Sequence, residues 1–537
     1  MRVRLSIAAL IIIAIFLSSI PYIYGYATTP PGHQFTGLTY NIDDGCVYLS
    51  WMRQAADGHV FIRNQFAIEP QQRLQFNIFF LALGWIAGLL QIPLIVVYHS
   101  ARILLIAGLL LTVYWFGRFF FKKDEHRFAL ILVIAFSSGI GWLFGTPIGH
   151  SGTVDNWQPE AITFLSMYLN PLFLIAQILM LASFGFLLKS RSSGKASDAV
   201  LAGTFLLLLA NIHTYDVAIV GAVWVVFLVI ASLVKRAGLR TWALSALAAA
   251  IASPALLYQW YLYHTEQVFR MRANTATPSP ELWNYIAGFG LIFVLAAIGL
   301  ALALRRRGDL LLPAVWGVIG FALPYIPIAQ QRKLVMGLHI ALAILATLAL
   351  IRLCEKRGWS LRLAALVLVA LTIPSNMMFM RRDVALLNVN ETATLIHRPY
   401  LANDELLAMQ WLRANTNRSE TVLAFPDAAC FIPVLAGNRT YVGHWSETPD
   451  FGRKLNEWRK FAEAETPDTV RLDILKRSKT KYVWWDNSIK MIPSRLAEEP
   501  SRSALDPSRK PYLKRVFTIG RVNIYQTYRM ATPRDTN

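Results

Sequence analysis

The sequence predicts an α-helical polytopic membrane protein of about eleven transmembrane helices over residues 1–380, followed by a soluble α/β domain over 381–537. Three observations carry this reading. The 537 residues are 55% hydrophobic and only 16% charged, too apolar for a water-soluble enzyme. Apolar runs long enough to span a bilayer, about 20 residues each, recur along the chain with Lys/Arg clusters at alternate connections. Charge density then changes: residues 1–380 hold 41 charged side chains and the much shorter 381–537 hold 43. The net charge of +20 does not imply nucleic acid, because the basic residues lie in short clusters beside apolar runs, where they anchor helices against anionic lipid. No nucleic-acid partner is expected. Cys46, Cys354 and Cys430 are scattered, odd in number and without metal-type spacing, so they support neither a disulfide framework nor a zinc site.

The first apolar run, 5–25, follows Arg2 and Arg4 and has the form of a signal segment, with cleavage after Ala27 as the alternative to a retained helix. Basic clusters recur at Lys122, Lys123 and Arg127; Lys189, Arg191 and Lys195; Lys235, Arg236 and Arg240; Arg305 to Arg307; and Arg352, Lys356, Arg357 and Arg362. Placing them in the cytoplasm gives crossings at 5–25, 95–121, 127–146, 161–188, 198–213, 216–234, 241–259, 283–304, 310–328, 334–353 and 361–380. The N-terminus is then cytoplasmic, the tail lies outside, and the protein is a multi-pass protein of the cell (inner or plasma) membrane. The apolar stretch 76–90 is short, and counting it as a span inverts every later loop. It is therefore read as a helix lying at the outer interface.

Chemistry is expected in the outer loops. The first, 27–74, is far longer than a connector needs and contains Asn41-Ile42-Asp43-Asp44-Gly45-Cys46-Val47-Tyr48. Adjacent carboxylates near a low-dielectric boundary repel each other and lose hydration, so Asp43 and Asp44 call for a cation or a proton, and either could serve as a general base. Asp-Asp-Gly is equally good turn chemistry. Several cations also lie outside, against the charge rule: Arg270 and Arg272 in the loop 261–281, and Arg332 with Lys333 after Gln331. They fit a phosphate near the outer leaflet, or else reach to lipid headgroups or pair with Glu266 and Glu281. Glu160, His213, Tyr215 and Asp216 belong to the same outer face. Glu160 is also explained as an acid opening a helix, and His213 with Asp216, three residues on, as a mutual pair. His339, within a span, fits a bundle histidine better than a catalyst. No phosphate-binding Gly-rich loop, zinc-protease motif or nucleophile elbow is present, which disfavours ATP-driven transport and serine or zinc hydrolysis.

In the tail, a helix from Asn403 to about Ala414, short runs at 421–425, 439–442 and 482–485, and an alternating stretch 515–527 read as a small α/β domain. The aromatic-polar stretch 441–448, with His444, Trp445 and Glu447, suits either sugar stacking or ordinary core and loop use.

With these residues in view, the chain resembles the GT-C superfamily of polytopic glycosyltransferases, near the bacterial protein mannosyltransferase and aminoarabinose transferase branch. Asp44 stands four before Tyr48, with Arg53 five further on, as in that family's first outer loop. Gly45 replaces the family's second acid. The stretch 331–333 with Gly337, Leu338 and His339 resembles the outward basic segment near the donor phosphate. The resemblance implies a sugar donor on a polyprenyl phosphate and an acceptor that is a lipid, glycan or protein, with inversion at the anomeric carbon. Asp44 would activate the acceptor hydroxyl, and Arg332 and Lys333 would stabilise the departing phosphate. It also allows a divalent ion bridging Asp44 and phosphate, although the sequence has no complete ligand set. The competing classes are a transporter or flippase of lipid-linked glycans, disfavoured by the absence of an internal repeat, a polymerase or ligase of lipid-linked glycans, whose large loop is usually elsewhere, and a noncatalytic membrane scaffold.

Overall fold

Backbone N–H and C=O groups cannot go unpaired in lipid, so apolar runs of spanning length must be helical. The computed structural model describes residues 2–145, 152–306, 308–391, 398–492 and 502–528; Arg307 of the Arg305 cluster lies outside them. Among the described residues nine helices are long and apolar enough to cross a membrane: Leu5–Ala27, Leu94–Phe119, Asp124–Phe144, Pro171–Ser193, Thr214–Leu233, Leu239–Thr265, Leu282–Arg306, Gly308–Tyr325 and Gln331–Arg357. A tenth forms if Leu361–Thr372 and Pro374–Leu387, bent by 40°, are one span. Pro374 lacks the N–H that would continue the first helix, so the break falls at that residue. The expected crossing at 198–213 is the helix Ala196–Ile212, whose 17 residues fall short of a full span. The chain is thus a multi-pass membrane protein of nine or ten candidate spans by length and composition, with the shorter Ala196–Ile212 the further crossing that the expected eleven requires. The last of these helices also runs to Leu387, past the expected boundary at 380.

Small residues let the helices approach closely. Helix Leu282–Arg306 crosses Leu338–Arg357 at Gly299, where a Cβ would meet the Leu345 carbonyl oxygen at 1.9 Å. Relief requires the helix axes to separate. Gly299→Leu is therefore expected to cost about 1–3 kcal/mol or more, seen as a lower melting temperature in detergent, and an unchanged melting temperature contradicts the packing described.

The first outer loop folds into the helix Ile42–Ala56, entered through Asn41 in the left-handed region (φ 49°). The stretch 76–90 forms the helix Ile78–Leu90, 13 residues long and so below spanning length, with the Asn77 side chain accepting the Phe80 N–H at 3.2 Å. Gly84 brings it against Ile42–Ala56, since a Cβ there would lie 2.4 Å from the Met52 carbonyl oxygen. Tyr48 stacks on Phe80 with centroids 4.9 Å apart and planes 8° apart.

The C-terminal part carries a five-stranded sheet in the order Arg439–Thr440, Thr421–Leu423, Thr480–Asp486, Val522–Thr527, Leu513–Ile519. Its first two pairings are parallel and its last two antiparallel, the final one being the expected closing hairpin. The helix expected from Asn403 runs Asn403–Asn415, with Glu405 accepting the Ala402 N–H at 2.9 Å across its first turn. Loop and tail are joined along their length. His33–Phe35 pairs antiparallel with Tyr400–Ala402, Arg53 Nε donates to the Val434 carbonyl at 2.9 Å, and Arg413 bonds Asp57 at 2.7 Å. Buried Lys454 meets Glu69 at 2.6 Å.

Candidate functional site

Where the first-loop helix, the outer helix ends and the tail converge, they enclose a cavity of about 580 Å³. Asp44, Tyr48, Glu160, His213, Tyr215, Arg272, Arg332 and Lys333 all line it. So do Trp445, Ser446 and Glu447 from the tail. Asp44 occupies the first turn of Ile42–Ala56, where the helix dipole favours a carboxylate, and its side chain is 45% exposed into the cavity. Asp43, on the adjoining face, is buried and does not line the cavity.

The groups around Asp44 decide its state. His444 Nε2 lies 3.3 Å from Asp44 Oδ1 and 3.8 Å from Asp43 Oδ2. The backbone N–H groups of Ser446 and Glu447 both donate to His444 Nδ1 at 3.1 Å, so that nitrogen is an acceptor and the ring proton resides on Nε2, aimed at Asp44. Burial alone pushes the Asp44 carboxyl up. The His444 hydrogen bond and charge, with Lys333 and Arg332, outweigh that and hold it below the ordinary aspartate range. Asp43 is raised, by burial first and by the Asp44 charge, with His444 pulling the other way. The same carboxylates, helped by Glu447, lift the His444 imidazole above the usual histidine range against its burial, while the two N–H groups at Nδ1 oppose a second ring proton there. Tyr48 is driven well above 10.0 by burial and then by Asp44, so its hydroxyl keeps its proton.

The cations are held by aromatic faces. Arg332 stacks over the Trp157 ring (5.5 Å) and Lys333 over the Tyr215 ring (5.0 Å). Their backbone forms a short 3₁₀ stretch, Gln331–Val335, pinned where Arg332 N–H donates to the Thr277 carbonyl at 3.1 Å and Gln158 Nε2 to the Arg332 carbonyl at 3.1 Å. Arg272 lies 3.5 Å from Glu447 and over the Phe269 ring, so its partner is in the tail, not Glu266 or Glu281.

Other expected residues fall elsewhere. Arg270 does not line the cavity. Arg53 joins the loop to the tail. Asp216 is buried and meets His213 Nδ1 at 3.0 Å, the mutual pair that the spacing allowed. Glu160, which does line the cavity, sits in a single 3₁₀ turn, Pro159–Ala161, before the helix Thr163–Leu169. The Gln331 side chain donates to the Ile326 carbonyl and accepts from Ser279 N–H, away from the cavity. His339 is buried in the bundle between Ser137 Oγ (3.2 Å) and Thr163 Oγ1 (3.0 Å) and stacks on Phe289. The described cysteines are free and buried, and the Cys430 thiol meets that of Cys46 across the loop–tail junction.

This bundle with an appended sheet has a fold found in several solved glycosyltransferases, three of them from an archaeon and from bacteria. The oligosaccharyltransferase AglB from Archaeoglobus fulgidus, in complex with an inhibitory peptide and a dolichol-phosphate, matches at TM-score 0.57 and 14% identity, over 90% of this chain and 70% of that one. ArnT from Cupriavidus metallidurans, bound to undecaprenyl phosphate, matches at 0.54 and 13%, over 96% and 97%. The arabinofuranosyltransferase AftD from mycobacteria matches at 0.55 and 16%, over 98% of this chain but only 40% of that one. At such identities the likeness concerns the fold. The sequence matches no protein-family model and no curated protein.

The archaeal oligosaccharyltransferase has also been solved in complex with zinc and sulfate. Here the expected divalent ion on Asp44 meets a donor set that does not fit. Among the described residues no three His, Cys, Asp or Glu side chains are grouped to hold a metal, and Asp44 Oδ1 faces the His444 N–H.

Proposed function

We propose that this protein is a glycosyltransferase that moves a sugar from a polyprenyl-phosphate donor to an acceptor hydroxyl on the outer face of the cell membrane, with its N-terminus cytoplasmic and its C-terminal domain outside. The observation that carries the reading is one cavity lined by the carboxylate Asp44 together with Lys333 and Arg332, both near enough to stabilise its charge. The acceptor hydroxyl is hydrogen-bonded by Asp44 and its oxygen attacks the anomeric carbon. The bond from that carbon to the phosphate oxygen breaks, the electron pair leaves with the phosphate, and the hydroxyl proton passes to Asp44. Attack opposite the leaving group inverts the anomeric centre. Arg332, with a planar fork suited to two phosphate oxygens, and Lys333, a point charge, meet the negative charge as it develops on the leaving group. Because Asp44 is held ionised, it accepts the proton late and acts before that by orienting the hydroxyl.

Purified full-length protein given radiolabelled polyprenyl-phosphate sugars, with membrane lipids, glycans and peptides as acceptors, is expected to release polyprenyl phosphate and label one acceptor class. The absence of release across the panel removes the proposal.

A further inference from the structure

We infer that His444 of the C-terminal domain is a positioning residue for Asp44, fixing its carboxylate so that the second oxygen faces the acceptor hydroxyl. This rests on the glycosyltransferase reading and gives a reason for the tail to be joined so closely to the first loop. The residue is fully buried and arrives from 400 positions away. Its ring bridges two kinds of group: Nδ1 is held by two backbone N–H donors of its own strap, and Nε2–H is delivered to Asp44 Oδ1.

The strap is built to hold that ring still. Gly443 packs so tightly that a Cβ would lie 2.9 Å from Phe66. Its N–H donates to Thr448 Oγ1 at 3.2 Å, and Thr448 N–H returns to the His444 carbonyl at 3.0 Å. Asn64 of the first loop then clamps Glu447, donating to its backbone carbonyl at 2.7 Å and to its carboxylate at 3.0 Å. The ring lies between Phe66 and Trp445, with centroids 6.0 Å from each. A histidine needed only for packing would not require its one free N–H to end on a cavity carboxylate. With Oδ1 occupied, Oδ2 is left for the incoming hydroxyl. Near-attack placement of a reacting group is worth on the order of 100-fold per ångström of misplacement.

Two substitutions in the full-length protein separate this role from a structural one. Gln carries an amide near the Nε2 position and can still donate to Asp44, but it loses the Nδ1 acceptor. Asn keeps an acceptor near Nδ1 and cannot reach Asp44. His444→Gln is expected to retain turnover within several-fold but to melt lower. His444→Asn is expected to hold its melting temperature and lose roughly 100-fold in kcat with the donor KM unchanged. Activity and stability thus run in opposite orders. Wild-type turnover in His444→Asn, or loss of turnover in both variants in step with melting temperature, overturns the inference.

A second readout needs no turnover: infrared titration of the Asp44 carboxylate, taken as a difference against Asp44→Asn. Besides His444, the groups acting on Asp44 are Asp43 and Tyr48 from its own helix, Tyr98, and Lys333 with Arg332. All persist in both variants, and both lose the imidazole charge, so the Asp44 titration should rise in His444→Asn and rise less in His444→Gln, which keeps the hydrogen bond. An unmoved titration in both overturns the inference. A wild-type protein without turnover would remove the glycosyltransferase reading alone and leave the His444 geometry to this measurement.

Discussion

Asp44→Asn is expected to lower turnover by roughly 10²–10⁴-fold, because Asn keeps the shape and can still accept the His444 N–H but cannot take the acceptor's proton. The melting temperature should change little, since the side chain is half open to the cavity and its ionic partners are partly screened. Asp43→Asn is the internal control. Asp43 is buried behind the cavity wall and does not line it, so the loss should be much smaller. The comparison is made by initial rates on a labelled polyprenyl-phosphate sugar at saturating donor, with unfolding followed in parallel. Equal rates for wild type and Asp44→Asn remove Asp44 from the chemistry. The acid limb of the wild-type rate profile should lie low, because a carboxyl held below the ordinary aspartate range stays ionised until the pH falls through its depressed value.

The second large effect is expected at the cations. Arg332→Ala and Lys333→Ala should each lower kcat by about 10²–10³-fold, the usual cost of deleting one preorganised donor to a developing oxyanion, and should weaken donor binding as well. Arg332→Lys should recover charge but not the paired phosphate contacts, and so fall between. Steady-state rates and binding of a labelled donor check both. Unchanged affinity in Arg332→Ala assigns that residue to lipid headgroups instead, with its stacking on Trp157 then only structural.

How far the sequence could lead is clear from particular residues. Apolar runs of about 20 residues located most of the spans, because such a run pairs its own backbone in lipid as a helix, and 76–90 forms a helix below spanning length, Ile78–Leu90. The outward basic pair could be marked because it breaks the charge rule that ordinary outer loops obey, and Asp44 with Tyr48 because their spacing resembles a known family's first outer loop. The bend at Pro374 and the run of that helix to Leu387 were not foreseen, since hydropathy fades there while hydrogen bonding continues. Nor could spacing show that Arg272 answers Glu447, or that His444 answers Asp44. These pairs join segments with no local periodicity in common, and the stretch 441–448 signalled only an aromatic-polar strap that could equally have been core. Arg270, Gln331 and His339 were marked for their polarity, and the fold spends that polarity on chain ends and helix contacts.

The short pairing of His33–Phe35 with Tyr400–Ala402, and the strap beyond it, bear on biosynthesis. A ribosome must complete nearly the entire membrane bundle before the segment containing His444 emerges. A nascent or truncated chain that stops ahead of the sheet therefore has Asp44, Arg332 and Lys333 without the imidazole that reaches Asp44 from the tail.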